Sequence, residues 1–181
     1  MKRPHLRSTS SRFPDSVATL AESAKSTTCS AIIARRLHLG IVPAESFEQA
    51  VDLVKVGLAP AALVPGAYPG IGAFLMDPVL WLLRSRAAMI PALVLAAKKN
   101  ASGVFRVAFA HPATKPLWAG MGIPITAAAS NDAAAAAVTR HDIACITNEV
   151  AARRFGLQVL QVVRASSPMA WNIFVRKDVI E

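Results

Sequence analysis

Apolar residues in this chain come in short runs broken by turn residues, rather than in one long periodic stripe. Residues 17–20 predict a first strand, a Ser/Thr-rich turn follows at 23–28, and a helix is expected over 30–38. A strand at 41–42 leads to a helix over 46–56, with Ser46 as its cap and Phe47, Ala50, Val51 and Val54 on one face. A strand at 61–64 ends at Pro65, and a glycine-rich loop fills 66–72. That loop reads either as a simple connector or as a cleft wall where a ligand approaches the backbone.

A helical stretch is expected around 74–84, then an apolar strand near 92–96. A second run follows: a strand at 105–109, His111-Pro112 before a helix near 113–119, and a strand at 125–127. Ser130-Asn131-Asp132 caps a poly-alanine helix reaching Thr139. From Asp142 a buried strand runs into Thr147 or Asn148, which caps a short helix that Gly156 stops, and apolar strands close the chain through Val175. Strand and helix alternating in this way predict α/β layers with a parallel sheet. The expected organisation is a disordered basic leader at 1–14, a first lobe at 15–85, a second at 86–170, and a final strand and tail at 171–181, with a cleft between hinged lobes.

Composition narrows the options. Hydrophobic residues make up 54% of the 181, but the longest apolar candidate, 87–97, is broken by Pro91 and ends in Lys98-Lys99, too short to span a bilayer. Met1-Lys2-Arg3 begins like a signal peptide without the apolar core that one needs, so the expected location is cytoplasmic. Cys29 and Cys145 lie far apart and read as free thiols; with four scattered histidines, neither a metal nor another cofactor is expected. The net charge of +9 is spread as pairs, with Lys2, Arg3, Arg7 and Arg12 in the leader and no basic stripe interleaved with aromatics. Nucleic acid and membrane are therefore not expected partners, whereas a positive field suits attraction of a small dianion. A homodimer is compatible with the sequence.

Ligands of open α/β sheets bind at the carboxyl ends of strands, where helix amino termini converge. Four such places are legible: Ser26-Thr27-Thr28, His111 to Thr114, Ser130-Asn131-Asp132 and Thr147-Asn148-Glu149. Each supplies a hydroxyl or amide beside free backbone donors, and each also serves as an ordinary helix cap. A substrate with two carboxylates would use at least two of them.

Several blocks in one order carry a resemblance: Ser46-Phe47-Glu48; Leu63-Val64-Pro65 with Gly66 through Ile71; Met76-Asp77-Pro78; Ala110-His111-Pro112; Phe155-Gly156-Leu157-Gln158-Val159-Leu160; and Pro168-Met169-Ala170-Trp171. Together they resemble the catalytic domain of prephenate dehydratases, and more closely the bacilysin (anticapsin)-type prephenate decarboxylases. The resemblance implies a two-lobed type II periplasmic-binding-protein-like fold and decarboxylation of prephenate without aromatisation, in specialised amino-acid or antibiotic biosynthesis. It leaves no room for a regulatory ACT domain.

Departures from the dehydratase pattern matter. Ala170-Trp171-Asn172-Ile173 stands where dehydratases carry Thr-Arg-Phe, and Gly66-Ala67-Tyr68 replaces their Glu-Asn-Ser. A carboxylate-clamping guanidinium is thus missing from the last strand. The resemblance makes Ala67, Tyr68, Met169 and Trp171 a weakly polar wall for the departing carboxylate, with Asn172 beside it. His111, Tyr68 and Glu149 are the candidate proton donors. Residues 21–27 lack the glycines usual in that turn, making close approach of backbone to a carboxylate harder, with Lys25 as a substitute charge. Two alternatives stay open: a dehydratase giving phenylpyruvate, and a non-catalytic module that closes on a small carboxylate.

Overall fold

The computed structural model describes residues 13–118 and 120–180. Most of the expected leader, with Lys2, Arg3, Arg7 and Arg12, lies outside the described residues. The first lobe opens with β1 (Ser16–Leu20), α1 (Cys29–Arg36), β2 (Gly40–Ala44), α2 (Phe47–Lys55) and β3 (Ala62–Pro65), and β1 pairs in parallel with both β2 and β3. A short α3 (Ile71–Leu75) leads to the long β4 (Leu80–Ile90). The chain then crosses into the second lobe: β5 (Leu93–Ala97), β6 (Val107–Ala110), a 3-10 turn over Pro112–Leu117, β7 (Ile125–Ala127), α4 (Asn131–Ala136), β8 (Ile143–Asn148), α5 (Glu149–Arg154) and β9 (Gln158–Arg164). Finally β10 (Ser167–Arg176) returns to the first sheet. The two five-stranded sheets run β2-β1-β3-β10-β4 and β7-β6-β8-β5-β9.

Period-two alternation explains why both faces of each sheet are apolar and covered. In the first, Ala18, Leu20, Val64 and Phe174 pack under α2 and α3 with Phe47, Val51 and Phe74. Their neighbours Val17, Leu63, Ile173 and Val175 point the other way, against Ile33 and Ala34 of α1. The second sheet repeats the device: Val94, Ala96 and Cys145 face the alanines of α4 and α5, while Leu95, Ala97 and Ile146 face the opposite layer. Ala134 and Ala135 of α4 are buried in that contact, whereas Ala136 is exposed.

Four helices start where the sequence places a cap. Thr28, Ser46, Ser130 and Asn148 accept from the amides of Ala31, Gln49, Ala133 and Ala151 at 3.2, 3.0, 2.9 and 2.8 Å. Each such bond stabilises its helix by about 1 kcal/mol. Gly156, at φ +67°, ends α5 in the left-handed region that side-chain-bearing residues avoid.

Three expectations need correction. The helical stretch around 74–84 is instead α3 followed by a strand. Pro78 forbids helix continuation, and the Asp77 carboxylate turns the chain by accepting from Val79 N at 2.9 Å while pairing with Lys55 at 2.5 Å. Each sheet is parallel on one side only, across β2-β1-β3 and β7-β6-β8, because β10 runs antiparallel to β3 and β4, and β5 to β8 and β9. Strand β4 also carries first-sheet pairing past residue 85 to Ile90, and β10 joins that sheet from Ser167, so the chain crosses between sheets at 91–92 and 165–166.

Candidate functional site

A cavity of about 160 Å³ lies between the lobes where their strand ends meet. Its first-lobe wall is Leu20, Phe47, Pro65, Ala67, Tyr68, Met169 and Trp171, and Thr28, Cys29 and Ser30 at the start of α1 add polar atoms. The second lobe contributes His111, Thr114, Leu117, Asn131 and Arg164. A wider outer chamber of about 500 Å³ shares Leu20, Phe47, Tyr68, His111 and Ala113 with it and adds Glu45 and Glu48. Inner apolar and outer acidic space therefore adjoin across the Tyr68 and His111 side chains.

Local packing positions each group. Tyr68 stacks on Phe74 (centroids 5.8 Å apart, planes at 12°) and meets the edge of Phe47 at 5.1 Å. Gly70 lets it lie there, because a Cβ at that position would stand 2.6 Å from the Tyr68 ring. The Tyr68 hydroxyl donates to the Glu48 carboxylate. His111 begins the 3-10 turn, with Nδ1 accepting from Ala113 N at 3.2 Å, which puts the proton of the neutral ring on Nε2. Burial pulls its pKa below the ordinary value, so the ring is a neutral hydrogen-bond donor at pH 7 rather than the titrating acid expected from sequence. Thr114 donates to His111 O at 2.7 Å and accepts from Trp118 Nε1 at 2.8 Å. Burial pushes the Cys29 thiol up to about 11, which makes it a weak nucleophile. Trp171 is 2% exposed, and its Nε1 has no hydrogen-bond partner among the described residues.

Of the residues picked from sequence, Thr28, Ala67, Tyr68, His111, Thr114, Asn131, Met169 and Trp171 line this one cavity. The others are engaged elsewhere. Glu149 sits where the chain first crosses between lobes, its amide donating to Ala92 O at 2.9 Å and its carboxylate 3.4 Å from Ala92 N. Thr147 is fully buried and donates to Asn131 O at 2.7 Å. Asn172 accepts from Ser85 Oγ at 2.5 Å.

Ser26, Thr27, Ser130 and Asn148 join the lobes to each other. The Asp132 carboxylate, on a residue 4% exposed, accepts from Thr27 N at 2.7 Å, Thr27 Oγ1 at 2.5 Å and Ser26 Oγ at 2.8 Å, and pairs with Arg154 at 3.1 Å. Asn148 Nδ2 donates to Thr27 O at 2.7 Å, Asn131 Nδ2 to Cys29 Sγ at 3.3 Å, and Ser130 to Glu22. The turn over 21–27 does bring a backbone amide against a carboxylate despite its lack of glycine. That carboxylate is the protein's own, and Lys25, exposed, stays out of the cavity lining.

Sequence reasoning missed Arg164. It closes the apolar strand Gln158–Arg164 and reads as the polar end of that run, but pairing opposite Leu93 brings it to the cavity. The inner chamber is thus not free of arginine, although the 170–173 stretch of β10 is.

No protein-family model matches the chain, and no curated protein matches it in sequence. Solved structures do match it. One is a prephenate dehydratase from Arthrobacter aurescens in complex with L-Phe, at 19% identity and TM-score 0.63, covering 88% of this chain and 60% of that one. Another is GqqA, of a type described as quorum-quenching acylases, at 20% identity and TM-score 0.62, covering 88% and 63%. The VFT2 domain of Bordetella pertussis BvgS matches at 15% identity and TM-score 0.55, covering 91% of this chain and 81% of that one. The chain spans less than two thirds of the length of the first two. Among the described residues no helix is long and apolar enough to cross a membrane. By its sheet topology and by these likenesses, the chain has the two-lobed α/β, type II periplasmic-binding-protein-like fold.

Proposed function

We propose that the cavity takes prephenate, or a closely related small dicarboxylate, and releases one carboxylate as carbon dioxide while the ring hydroxyl stays. The observation that carries this reading is the meeting of Ala67, Tyr68, Met169 and Trp171, from two distant segments, on one weakly polar wall. A carboxylate placed against such a wall, with Glu48 close behind Tyr68, is poorly stabilised, whereas the transition state leading to neutral carbon dioxide disperses its charge.

In the step itself, the bond between the ring carbon and its carboxylate breaks. The electron pair moves toward the adjacent ring double bond, which shifts, and the far carbon of that double bond takes a proton. Tyr68 delivers it, its hydroxyl turning from the Glu48 carboxylate that otherwise accepts that proton, and takes a proton back from water of the adjoining chamber. Neutral His111 hydrogen-bonds a ligand oxygen but lacks the acidity to expel the hydroxyl as water, so the product is a dihydro-4-hydroxyphenylpyruvate, suited to specialised amino-acid or antibiotic biosynthesis. Glu149, engaged at Ala92, has no part in this step.

Incubation with prephenate tests the reading. Carbon dioxide with a non-aromatic 2-oxo acid supports it. Phenylpyruvate would mean a dehydratase, and thermal stabilisation without turnover a binding module. Tyr68→Phe should lower kcat by roughly 10²- to 10⁴-fold, and Met169→Gln, at a half-buried wall position, should lower decarboxylation in protein that still melts cooperatively. Unaltered turnover in both variants would remove the role given to the wall.

A further inference from the structure

Resting on the reading of the cavity as an acid-binding site, we propose that Arg164 is its specificity-determining residue, the group that selects the 2-oxo acid carboxylate of the ligand. It is the only side chain with a fixed positive charge lining an otherwise largely apolar cavity among the described residues. No carboxylate lies within ion-pair distance of it among the described residues. Its Nε donates to Ser167 Oγ at 3.1 Å, which directs the guanidinium while leaving its terminal nitrogens to form a forked pair with a planar acid.

Position adds to chemistry. Arg164 ends β9 opposite Leu93 where β5 begins, so it stands beside both segments that cross between the sheets, and Ile90 and Leu93 line the cavity with it. The acidic pair Glu45 and Glu48 lines the adjoining chamber, which shares Tyr68 and His111 with the cavity but not Arg164. A molecule with an acid at each end therefore meets a cation at one end and carboxylates at the other. Its orientation follows from charge: the 2-oxo acid end goes to Arg164, and the second carboxylate is left toward Tyr68 and Glu48.

Binding of phenylpyruvate, a stable 2-oxo acid, and of phenylacetone, its uncharged counterpart, measured by calorimetry on the whole chain, tests this without requiring turnover. Wild type should prefer phenylpyruvate, Arg164→Gln should weaken it by about 10- to 100-fold with phenylacetone unaffected, and Arg164→Lys should restore part of the loss. Arg164 is exposed, so an unchanged melting temperature is expected in both variants. With prephenate, KM should rise in Arg164→Gln while kcat holds. Arg164-dependent discrimination without prephenate turnover would leave this inference standing and remove the decarboxylase reading. Turnover with the same KM in wild type and Arg164→Gln would do the opposite. Failure of wild type to prefer the acid, or an equal preference in Arg164→Gln, would overturn the inference.

Discussion

Replacing Asp132 by Ala should separate the two lobes energetically. The wild-type carboxylate sits on a residue 4% exposed and receives the Thr27 amide, the Thr27 hydroxyl and the Ser26 hydroxyl from the other lobe. Truncation strands the two Thr27 donors, whereas the fully buried Ser26 hydroxyl keeps Glu22 as an acceptor at 2.7 Å. A buried donor left unsatisfied costs about 1–3 kcal/mol, and breaking a buried charged network by removing one member costs about 3–5 kcal/mol. These effects overlap, so the expected total is about 3–5 kcal/mol. Arg154 adds little of this, because its side chain is 41% exposed and can turn to water; Arg154→Ala should cost at most about 1 kcal/mol. By calorimetry the Asp132→Ala melting temperature should fall by roughly 6–20 °C, and solution scattering should show a larger radius of gyration as the lobes part. A loss below about 1 kcal/mol with unchanged scattering would refute the claim that this carboxylate ties the lobes together.

Two further outcomes follow from titrating groups. Burial depresses the His111 pKa in the folded chain, so below the unfolded value the unfolded state binds the extra proton and stability falls on acidification. His111→Asn, which keeps a cap acceptor for Ala113 N, should therefore lose less stability than wild type between pH 7.5 and pH 5 in urea titrations. An equal loss would mean that the imidazole protonates as readily when folded. The thiols of Cys29 and Cys145 are raised by burial to about 11 and about 12, so both should react slowly with a disulfide reagent at pH 8 and rapidly once the chain is unfolded. One fast-reacting thiol in native protein would contradict the environment described for Cys29.

Much of the architecture is local, and so it was legible in the residues. Ser46, Ser130 and the Thr147-Asn148 pair announce helix starts because a cap bonds an amide three residues on, within reach of any pattern reader. Ala67, Tyr68, Met169 and Trp171 were grouped through the resemblance, a pairing that periodicity does not contain, and they line one cavity. Strand β4 was not. Its apolar content fits a buried helix as well as a strand, and what decides is an antiparallel partner, β10, far along the chain.

The site divides along the same line. By itself, the sequence determined which helices begin with free amides and hydroxyls, that two α/β runs succeed each other, and that no arginine stands at positions 170–173. Only the tertiary structure decided which anion those hydroxyls hold, turning Ser26 and Thr27 to Asp132, and which cation reaches the cavity, bringing Arg164 in by its pairing opposite Leu93. The reason is physical: a cap is satisfied within one turn of helix, whereas a carboxylate or guanidinium is satisfied by whatever folding brings within about 3 Å of it.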